Sequence, residues 1–325
     1  MPEPTFSIVV PVHNEQEVLP ELHHRLSSVL AELDGSAEIV FVDDGSRDRS
    51  FEVMLGLRGL DDRVKVARLS RNFGHQVAIS AGLDLAAGEA VVVMDADLQH
   101  PPETIPELVA RWRDGYEVVY GVMVERSSES WLKRTSARWF YKLLAKLSDI
   151  DVPAAAGDFR LVDRKALDAF RTMHEQNRYI RGMFSWLGFR QIGVTYACPP
   201  RFAGTSKYTF RKMLRFARDG ILSFSNAPLR VMLKIGVVVS FLAVASGIAA
   251  IVAKITGHGV PGYASIVVLV SFLGGVQLLV LGVIGEYIAR IHDEVRGRPL
   301  YVLSEVRGFD PEQLSVAVSA ADAVR

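Results

Sequence analysis

The sequence is short of several features that would settle its class at once. Cysteine is almost absent, Cys198 being the single one in 325 residues. No intramolecular disulfide is available, which fits a reducing compartment. An excess of one charge is also missing, because 37 lysines and arginines balance 37 aspartates and glutamates. Net charge therefore offers no reason to expect nucleic acid as a partner. The opening residues MPEPTFSIVVPVHNE lack a basic stretch followed by a long apolar one. No secretory signal is expected, and the soluble part is expected in the cytosol. Internal repeats and low-complexity segments are missing too. What the chain does have is 49% hydrophobic residues, in a length that suits one domain of ordinary size plus an appendage.

Residues 7–12 and 38–42 are short β-branched apolar runs. Between them, residues 15–33 carry Val18, Leu22, Leu26, Val29, Leu30 and Leu33 at helical spacing, so the stretch reads as β-α-β. The unit recurs as a strand over residues 64–69, a helix over 76–87 and a strand over 90–94. The last of these is apolar enough to be buried on both faces. Residues 117–121 suggest one more strand, after which the regularity fades. The expected class is α/β with a mostly parallel, Rossmann-like sheet whose functional loops leave the carboxyl ends of the strands.

Two later regions point to a membrane. Residues 131–148 place Leu132, Trp139, Phe140, Leu143, Leu144 and Leu147 near one helical face, with Lys133, Arg134, Arg138, Lys142 and Lys146 largely on the others. Residues 207–218 have the same character. Each is either a basic amphipathic helix at a membrane surface or a core-packed helix with a solvated face. Residues 235–253 contain no charge, are bracketed by Lys234 and Lys254, and match the roughly 20 residues needed to cross a hydrocarbon core. A second uncharged stretch covers 264–285, and the link ITGHGVPGY has the glycines and proline of a tight turn. A transmembrane hairpin is expected. Basic residues crowd its outer flanks, from Lys207 to Lys234 before it and at Arg290, Arg296 and Arg298 after it. The positive-inside bias then puts both flanks in the cytoplasm.

The chemistry-bearing residues follow the apolar strands. Asp95-Ala96-Asp97 comes directly after AVVVM, so two carboxylates leave the end of a buried strand and call for a compensating cation. Mg²⁺ or Mn²⁺ suits such oxygen ligands, with Gln99 contributing its amide oxygen or orienting a water. Taken alone, the motif is equally a solvated turn. Asp43-Asp44-Gly45-Ser46 ends a second strand and PVHNE, Pro11 to Glu15, ends the first. Three strand ends then converge on one crevice. Carboxylates at two of them can accept from a base and a ribose while a metal at the third neutralises a diphosphate. That is a nucleotide-sugar site.

In this order, PVHNE, DDGS, DADLQHPPE, GDFRL and GTSKY resemble the GT-A fold polyprenyl-phosphate glycosyltransferases of glycosyltransferase family 2. Dolichol-phosphate mannose synthases and bactoprenol glucosyltransferases belong there. The resemblance covers roughly residues 5–230, and the hairpin is similar to that of the bacterial membrane-anchored branch. It implies a nucleotide-sugar-binding part over 1–125, an acceptor-binding part over 126–230, a hairpin over 231–285 and a cytoplasmic tail over 286–325.

Position by position, the resemblance puts Pro11, His13, Glu15, Asp43 and Asp44 around the nucleoside, and Asp95, Ala96 and Asp97 at the diphosphate and metal, with Gln99 beside them. His13 stands where related sequences often have tyrosine, which leaves the base open. Arg201 and Lys207 would clamp the donor diphosphate and stabilise charge on the leaving group, although Lys207 also reads as an ordinary solvated lysine. Arg126 is a weaker match for a further phosphate contact. Asp97, Asp158 and Arg160 are the implied catalytic residues, Arg160 meeting the acceptor phosphate near the membrane. Asp158 either orients Arg160 and the acceptor or acts as general base. A lipid phosphate with a second pKa near ~6 is already a nucleophile at neutral pH, so a base is barely required. Direct displacement would invert the anomeric carbon.

Asn72 to Gln76 either shapes the donor site or is a plain N-cap turn, and His75 is not expected to be a ligand. Phe159, Trp186 and Phe189 read as core or membrane-facing packing rather than sugar platforms. The Q-x-x-R-W motif of processive synthases is missing, since Arg111-Trp112 lacks the glutamine. The expected partners are a nucleotide sugar, UDP-glucose first and GDP-mannose or a UDP-linked amino sugar as alternatives, together with undecaprenyl or decaprenyl phosphate and the membrane. A non-catalytic nucleotide-binding scaffold is the alternative of another class. A homo-oligomer through hairpin or tail is compatible with the sequence and not specified by it.

Overall fold

Strand β1 (Phe6–Val12), buried along its whole length, lies inside an eight-stranded sheet. The computed structural model describes residues 4–124, 156–197, 227–256, 262–311 and 313–314. β1 pairs in parallel with β2 (Ala37–Asp43) on one side and β4 (Ala90–Val93) on the other, and β2 pairs in parallel with β3 (Val64–Leu69). These are the strands that the apolar runs predict. The linking helices α1 (Leu19–Glu32) and α3 (His75–Leu85) also fall where helical periodicity puts them, and α2 (Ser50–Leu60) joins β2 to β3 in a stretch that the pattern leaves unassigned. α1 begins four residues later than the pattern suggests. Pro20 sits in its first turn, where the missing N–H breaks no helical bond.

Beyond β4 come a 3₁₀ turn (Pro102–Thr104), α4 (Ile105–Arg113) and β5 (Val118–Val124). β6 (Ala156–Asp163) runs antiparallel between β4 and β5. It is followed by α5 (Arg164–Arg171), α6 (Ile180–Trp186) and β7 (Gln191–Ala197), which pairs in parallel with β5. α1, α2 and α4 cover one face over Ile8, Val10, Phe41, Val92 and Phe159. α3, α5 and α6 cover the other over Val9, Val40, Val91, Val93 and Val162. α3 lies so close to β1 that a Cβ on Gly82 would run into the Val9 side chain. The basic amphipathic stretches 131–148 and 207–218 lie outside the described residues, as do Arg126, Cys198, Arg201 and Lys207.

α7 (Ala227–Ile255) and α8 (Tyr263–Val295) contain the expected uncharged stretches. Val231–Ala249 and Phe272–Val295 have mean hydropathies of 2.2 and 1.8, and neither window is buried against protein. Leu233, Phe241, Leu242 and Val244 on α7 and Leu278 and Leu281 on α8 are exposed. So much unpartnered apolar side chain is what a helix shows to lipid rather than to water. α8 outlasts its uncharged stretch: 33 residues make a rod of about 50 Å, against a hydrocarbon core of about 30 Å. Its last turn reaches the α/β unit, where Glu294 Oε1 accepts from the Gln176 N–H at 2.9 Å and the Arg298 carbonyl accepts from Gln176 Nε2 at 2.8 Å.

The stretch set apart as a tail, 286–325, then returns to the sheet. β8 (Leu303–Arg307) pairs antiparallel with β3 and forms the outer edge. Tyr301, 2% exposed, donates to Asp84 Oδ2 at 3.0 Å, and Gln313 Oε1 accepts from Lys65 Nζ at 2.8 Å. Within that stretch, Tyr301, β8 and Gln313 are therefore part of the folded α/β unit, and residues 312 and 315–325 lie outside the described residues.

On the same unit, Asp61 after α2 accepts from Arg63 Nε and Nη2 at 2.9 and 2.8 Å and pairs with His23 Nε2 at 2.9 Å. Arg63, against the opposing effect of burial and with help from His23, holds the carboxyl far below the usual range. A depressed carboxyl stabilises the fold above its unfolded pKa of about 4 and loses that contribution as pH falls toward the folded value. Asp61→Asn is expected to cost about 1 kcal/mol at pH 7. The gap between its melting temperature and that of the parent should narrow below about pH 4. Melting curves across pH 3–7 check this, and a gap that stays constant with pH would refute the linkage.

Candidate active site

The carboxyl ends of β1, β2 and β4 open side by side, and each ends in the acidic or polar turn that the sequence singles out. Pro11 pairs with Val42 beyond the end of the β1–β4 ladder, which stops at Val9 and Val93, so its missing N–H costs no rung there. After β1, His13 Nδ1 donates to the Asp44 carbonyl at 3.0 Å, and Asn14 Nδ2 donates to His13 Nε2 at 3.0 Å. A carbonyl can only accept, which assigns the ring tautomer. The backbone N–H of Glu15 donates to Ser50 Oγ at 2.9 Å, tying this loop to the start of α2.

Asp43 is fully buried: Oδ1 accepts from the Ser46 N–H at 3.0 Å, and Arg68 Nε lies 3.1 Å from Oδ2. Asp44, 3% exposed, accepts from the N–H groups of Phe73 at 2.7 Å and Gly74 at 3.1 Å. Burial raises its pKa, and those N–H groups, with smaller contributions from His13 and His75, pull in the opposite direction. Gly45 has φ +65°, and a Cβ there would lie 2.6 Å from the Asn72 nitrogen. Only glycine lets this turn rest on the 71–72 backbone. Asn72 leaves the start of α3 uncapped, and Gly74 occupies the N-cap with φ +106°.

At β4, the Asp95 N–H donates to His100 Nδ1 at 2.9 Å, and His100 stacks on Phe159 at 5.0 Å between centroids. Leu98, with φ 61°, makes the turn tight. Asp97, 9% exposed, accepts from the Gln99 N–H at 3.1 Å, and Ala96 is buried between the two aspartates. Asp95 Oδ1 is buried without a hydrogen-bond partner. Among the described residues there is no cluster of three or more histidine, cysteine, aspartate or glutamate side chains placed to hold a metal. The pair Asp95 and Asp97 is nonetheless the hard donor set that Mg²⁺ or Mn²⁺ takes up when substrate phosphates and water complete the shell, and a metal at Asp95 Oδ1 would replace the His75 ring nitrogen that stands 3.3 Å from that atom.

β6 brings Asp158 and Arg160 alongside, Arg160 being in register with Val93. Both face α3 and α6, while Phe159 turns into the opposite core, as its reading as packing requires. Asp158 is gripped side-on by Arg181, whose Nε and Nη2 donate to its two oxygens at 2.8 and 3.0 Å. Gln76 Nε2 donates to Oδ2 at 3.4 Å. Burial alone would push this carboxyl up, and Arg181 and then His75 outweigh it, holding it well below the usual range. His75 Nε2 stands 3.3 Å from Asp95 and 3.6 Å from Asp158, between the two corners. Loss of water would lower its pKa, but Asp158 and Asp95 raise it to about 9.

Arg160 differs from its expected position. It is 2% exposed, donates to the Gly157 carbonyl at 2.8 Å and lies 5.3 Å from the centre of the Phe184 ring, with Nε unpartnered. Burial lowers its pKa to about 10, so it stays charged at neutral pH. The alternating pattern of β6 sends it under α6, beside Phe184. Arg181 is the residue that sequence reading passes over, and His75, not expected there to be a ligand, lies between the two carboxylates. The one visible hint is a lone arginine in the first turn of an otherwise apolar α6.

Acidic turns at the ends of β2 and β4, on a mostly parallel sheet with β6 laid antiparallel beside β4, define a GT-A-like glycosyltransferase. The sequence matches glycosyl transferase family 2 over residues 7–171 and the GtrB C-terminal hairpin over residues 227–291. The chain belongs to glycosyl transferase family 2, and its hairpin makes it membrane-associated. An uncharacterized glycosyltransferase of Synechocystis is 45% identical over 94% of this chain and 96% of its own length. A prophage-derived bactoprenol glucosyl transferase of Shigella flexneri is 39% identical over 94% of this chain and 99% of its own. Among solved structures, glucosyl-3-phosphoglycerate synthase from Mycobacterium tuberculosis, in complex with Mn²⁺, UDP and phosphoglyceric acid, is 20% identical with a TM-score of 0.49, covering 67% of this chain and 76% of that one.

Proposed function

We propose that this enzyme transfers a hexosyl group, glucose from UDP-glucose in the first instance, to a polyprenyl phosphate at the cytoplasmic face of the membrane, with inversion at the anomeric carbon. The observation that carries this reading is the close approach of two corners in one membrane-anchored chain. The Asp95 corner suits a donor diphosphate and the Asp158 corner an acceptor, and His75 lies within 3.6 Å of both carboxylates. The named activity of the 39% identical Shigella relative supports the choice of sugar and lipid.

In this reading Pro11, His13, Glu15, Asp43 and Asp44 frame the nucleoside. Asp44 acts mainly by fixing the loop, because its carboxylate is already engaged with the N–H groups of Phe73 and Gly74, whereas Asp43 holds the Ser46 N–H with Oδ1 and keeps Oδ2, beside Arg68, without a hydrogen bond. Asp95 and Asp97, with Gln99 beside them, would hold Mg²⁺ or Mn²⁺. Such an ion neutralises the diphosphate and makes it a better leaving group. Arg201 and Lys207 would add positive charge to the same diphosphate.

The acceptor phosphate, mostly dianionic above its second pKa of about 6, needs little help to become a nucleophile. Its oxygen forms the new bond to the anomeric carbon while the bond to the diphosphate oxygen breaks, and the nucleoside diphosphate leaves. No enzyme nucleophile takes part. Arg160, charged and buried behind Asp158, contributes a fixed positive field on the acceptor side.

Purified protein should move radiolabel from one member of a panel of UDP- and GDP-sugars into undecaprenyl phosphate, in the presence of Mg²⁺ or Mn²⁺ and not of EDTA. Label from GDP-mannose alone would reassign the donor. Nucleotide binding without label from any donor would favour a non-catalytic scaffold.

A further inference from the structure

We propose that Arg181 is a positioning residue for transfer, acting through Asp158, and that the Asp158–Arg181 unit serves as a fixed charge beside the reacting groups rather than as a proton acceptor. This rests on the reading of Asp158 as part of the acceptor corner. The geometry is specific. A guanidinium that offers Nε and Nη2 to the two oxygens of one carboxylate fixes the plane of that carboxylate as well as its charge. Arg181 takes one in-plane lone pair on each oxygen of Asp158 and Gln76 approaches a second on Oδ2, which leaves only the outer lone pair of Oδ1 to accept a proton from an incoming phosphate. A general base needs one of those lone pairs free and aimed at substrate. Asp158 has neither an idle oxygen nor room to turn, being 7% exposed.

Gln76 makes the arrangement rigid from a second direction. Its Oε1 accepts from the Ile180 N–H at 3.1 Å, in the first turn of α6, while its Nε2 reaches Asp158. The starts of α3 and α6 and the middle of β6 are thereby tied at one carboxylate. The groups that face Asp158 are Arg181 from α6, His75 and Gln76 from α3, and Arg160 on its own strand. Cations thus surround it on several sides, which keeps it ionised over the working range of the enzyme. In that state it sets the position of Arg181 and of the His75 imidazole that reaches the Asp95 corner.

The test measures label transfer from UDP-glucose to undecaprenyl phosphate between pH 5.5 and 9 by the full-length chain in detergent, for the parent, R181K, R181Q and D158N. The parent is expected to show a single acid limb in kcat, near the second pKa of the acceptor phosphate at about 6. R181Q should lose about 100-fold in kcat, the scale of a misplaced reacting group, with the KM for donor within about twofold. Its acid limb should also move to higher pH, because the buried Asp158 has lost its main counter-charge. R181K keeps the charge but not the fork, so it should restore the limb and only part of kcat. D158N should lose kcat to a similar extent, but its acid limb should stay near that of the parent, since no carboxylate is left at this position to protonate.

A parent-like kcat and pH profile in R181Q overturns the proposal. So does an inactive R181Q beside a fully active D158N, because Arg181 would then act independently. If R181Q does not yield folded protein, R181K decides, and a parent-like kcat in that variant overturns the proposal. Absence of label with the parent and every donor would instead sink the functional reading, and this inference with it.

Discussion

Replacing Asp97 by alanine is expected to reduce transfer by about 1,000-fold or more while leaving a folded, membrane-bound chain. The two effects separate because of where the residue stands. Within the fold its carboxylate accepts the Gln99 N–H at the end of β4, and losing one such bond costs about 1 kcal/mol. In the reaction it would be one of two carboxylates that keep a divalent cation on the leaving diphosphate. A 1,000-fold loss corresponds to about 4 kcal/mol of transition-state stabilisation, a reasonable share for charge neutralisation at a leaving group. Label transfer titrated with Mg²⁺ and Mn²⁺, beside a melting curve, distinguishes the two roles. Metal-stimulated activity surviving in Asp97→Ala would remove this residue from the metal site, and a collapsed melting curve would make its role structural.

The largest stability effect is expected at Asp84, far from the reacting groups. It is 4% exposed, accepts from Tyr301, and has Arg171 and Arg178 close enough to counter the upward push of burial on its pKa. Both arginines donate to backbone carbonyls, Arg171 to those of Leu83, Asp84 and Ala86 and Arg178 to that of Met173. Each also keeps one buried nitrogen without a partner. Asp84→Ala removes the counter-charge that two largely buried guanidiniums share, leaving Arg171 with the more exposed Asp168 and Arg178 with Glu175 and Glu294, a loss of about 3 kcal/mol. Tyr301→Phe removes only the hydroxyl and should cost about 1 kcal/mol. In a chain of this size the first should lower the melting temperature by about 10 °C and the second by a few degrees. Equal shifts from the two variants would show that the hydroxyl bond, not the charge pairing, carries the effect.

The legible parts of the fold are those whose patterns are local. β1, β2 and β4 are rich in valine, isoleucine or phenylalanine buried on both faces, β3 keeps its aliphatic residues at Val64, Val66 and Leu69 alongside Lys65 and Arg68, and α1 repeats its leucines at helical spacing, so each can be read without its neighbours. The acidic turns are legible for the same reason, since each directly follows such a run. β6 is not, because one of its two faces buries Asp158 and Arg160 where a strand ordinarily buries aliphatic side chains. β8, Leu303–Arg307, carries Glu305 and Arg307 on an edge, where charge discourages further pairing and hides the strand from a hydropathy reading. His75 and Arg181 escape because their meaning lies in partners remote along the chain, Arg181 being 23 positions from Asp158. No periodicity within a helix reports such a meeting.

The return of the chain to the edge of β3 also dictates an order of assembly. A polypeptide emerges from its amino end, so β1 to β7 are made before α7 and α8, and β8 is made last. Until both apolar helices have left the ribosome, β3 keeps an open edge and Asp84 has no Tyr301. The catalytic unit is consequently completed only after its anchor exists. A copy truncated before β8 carries an unfinished sheet, and the exposed edge marks it for aggregation or proteolysis rather than release as a free enzyme.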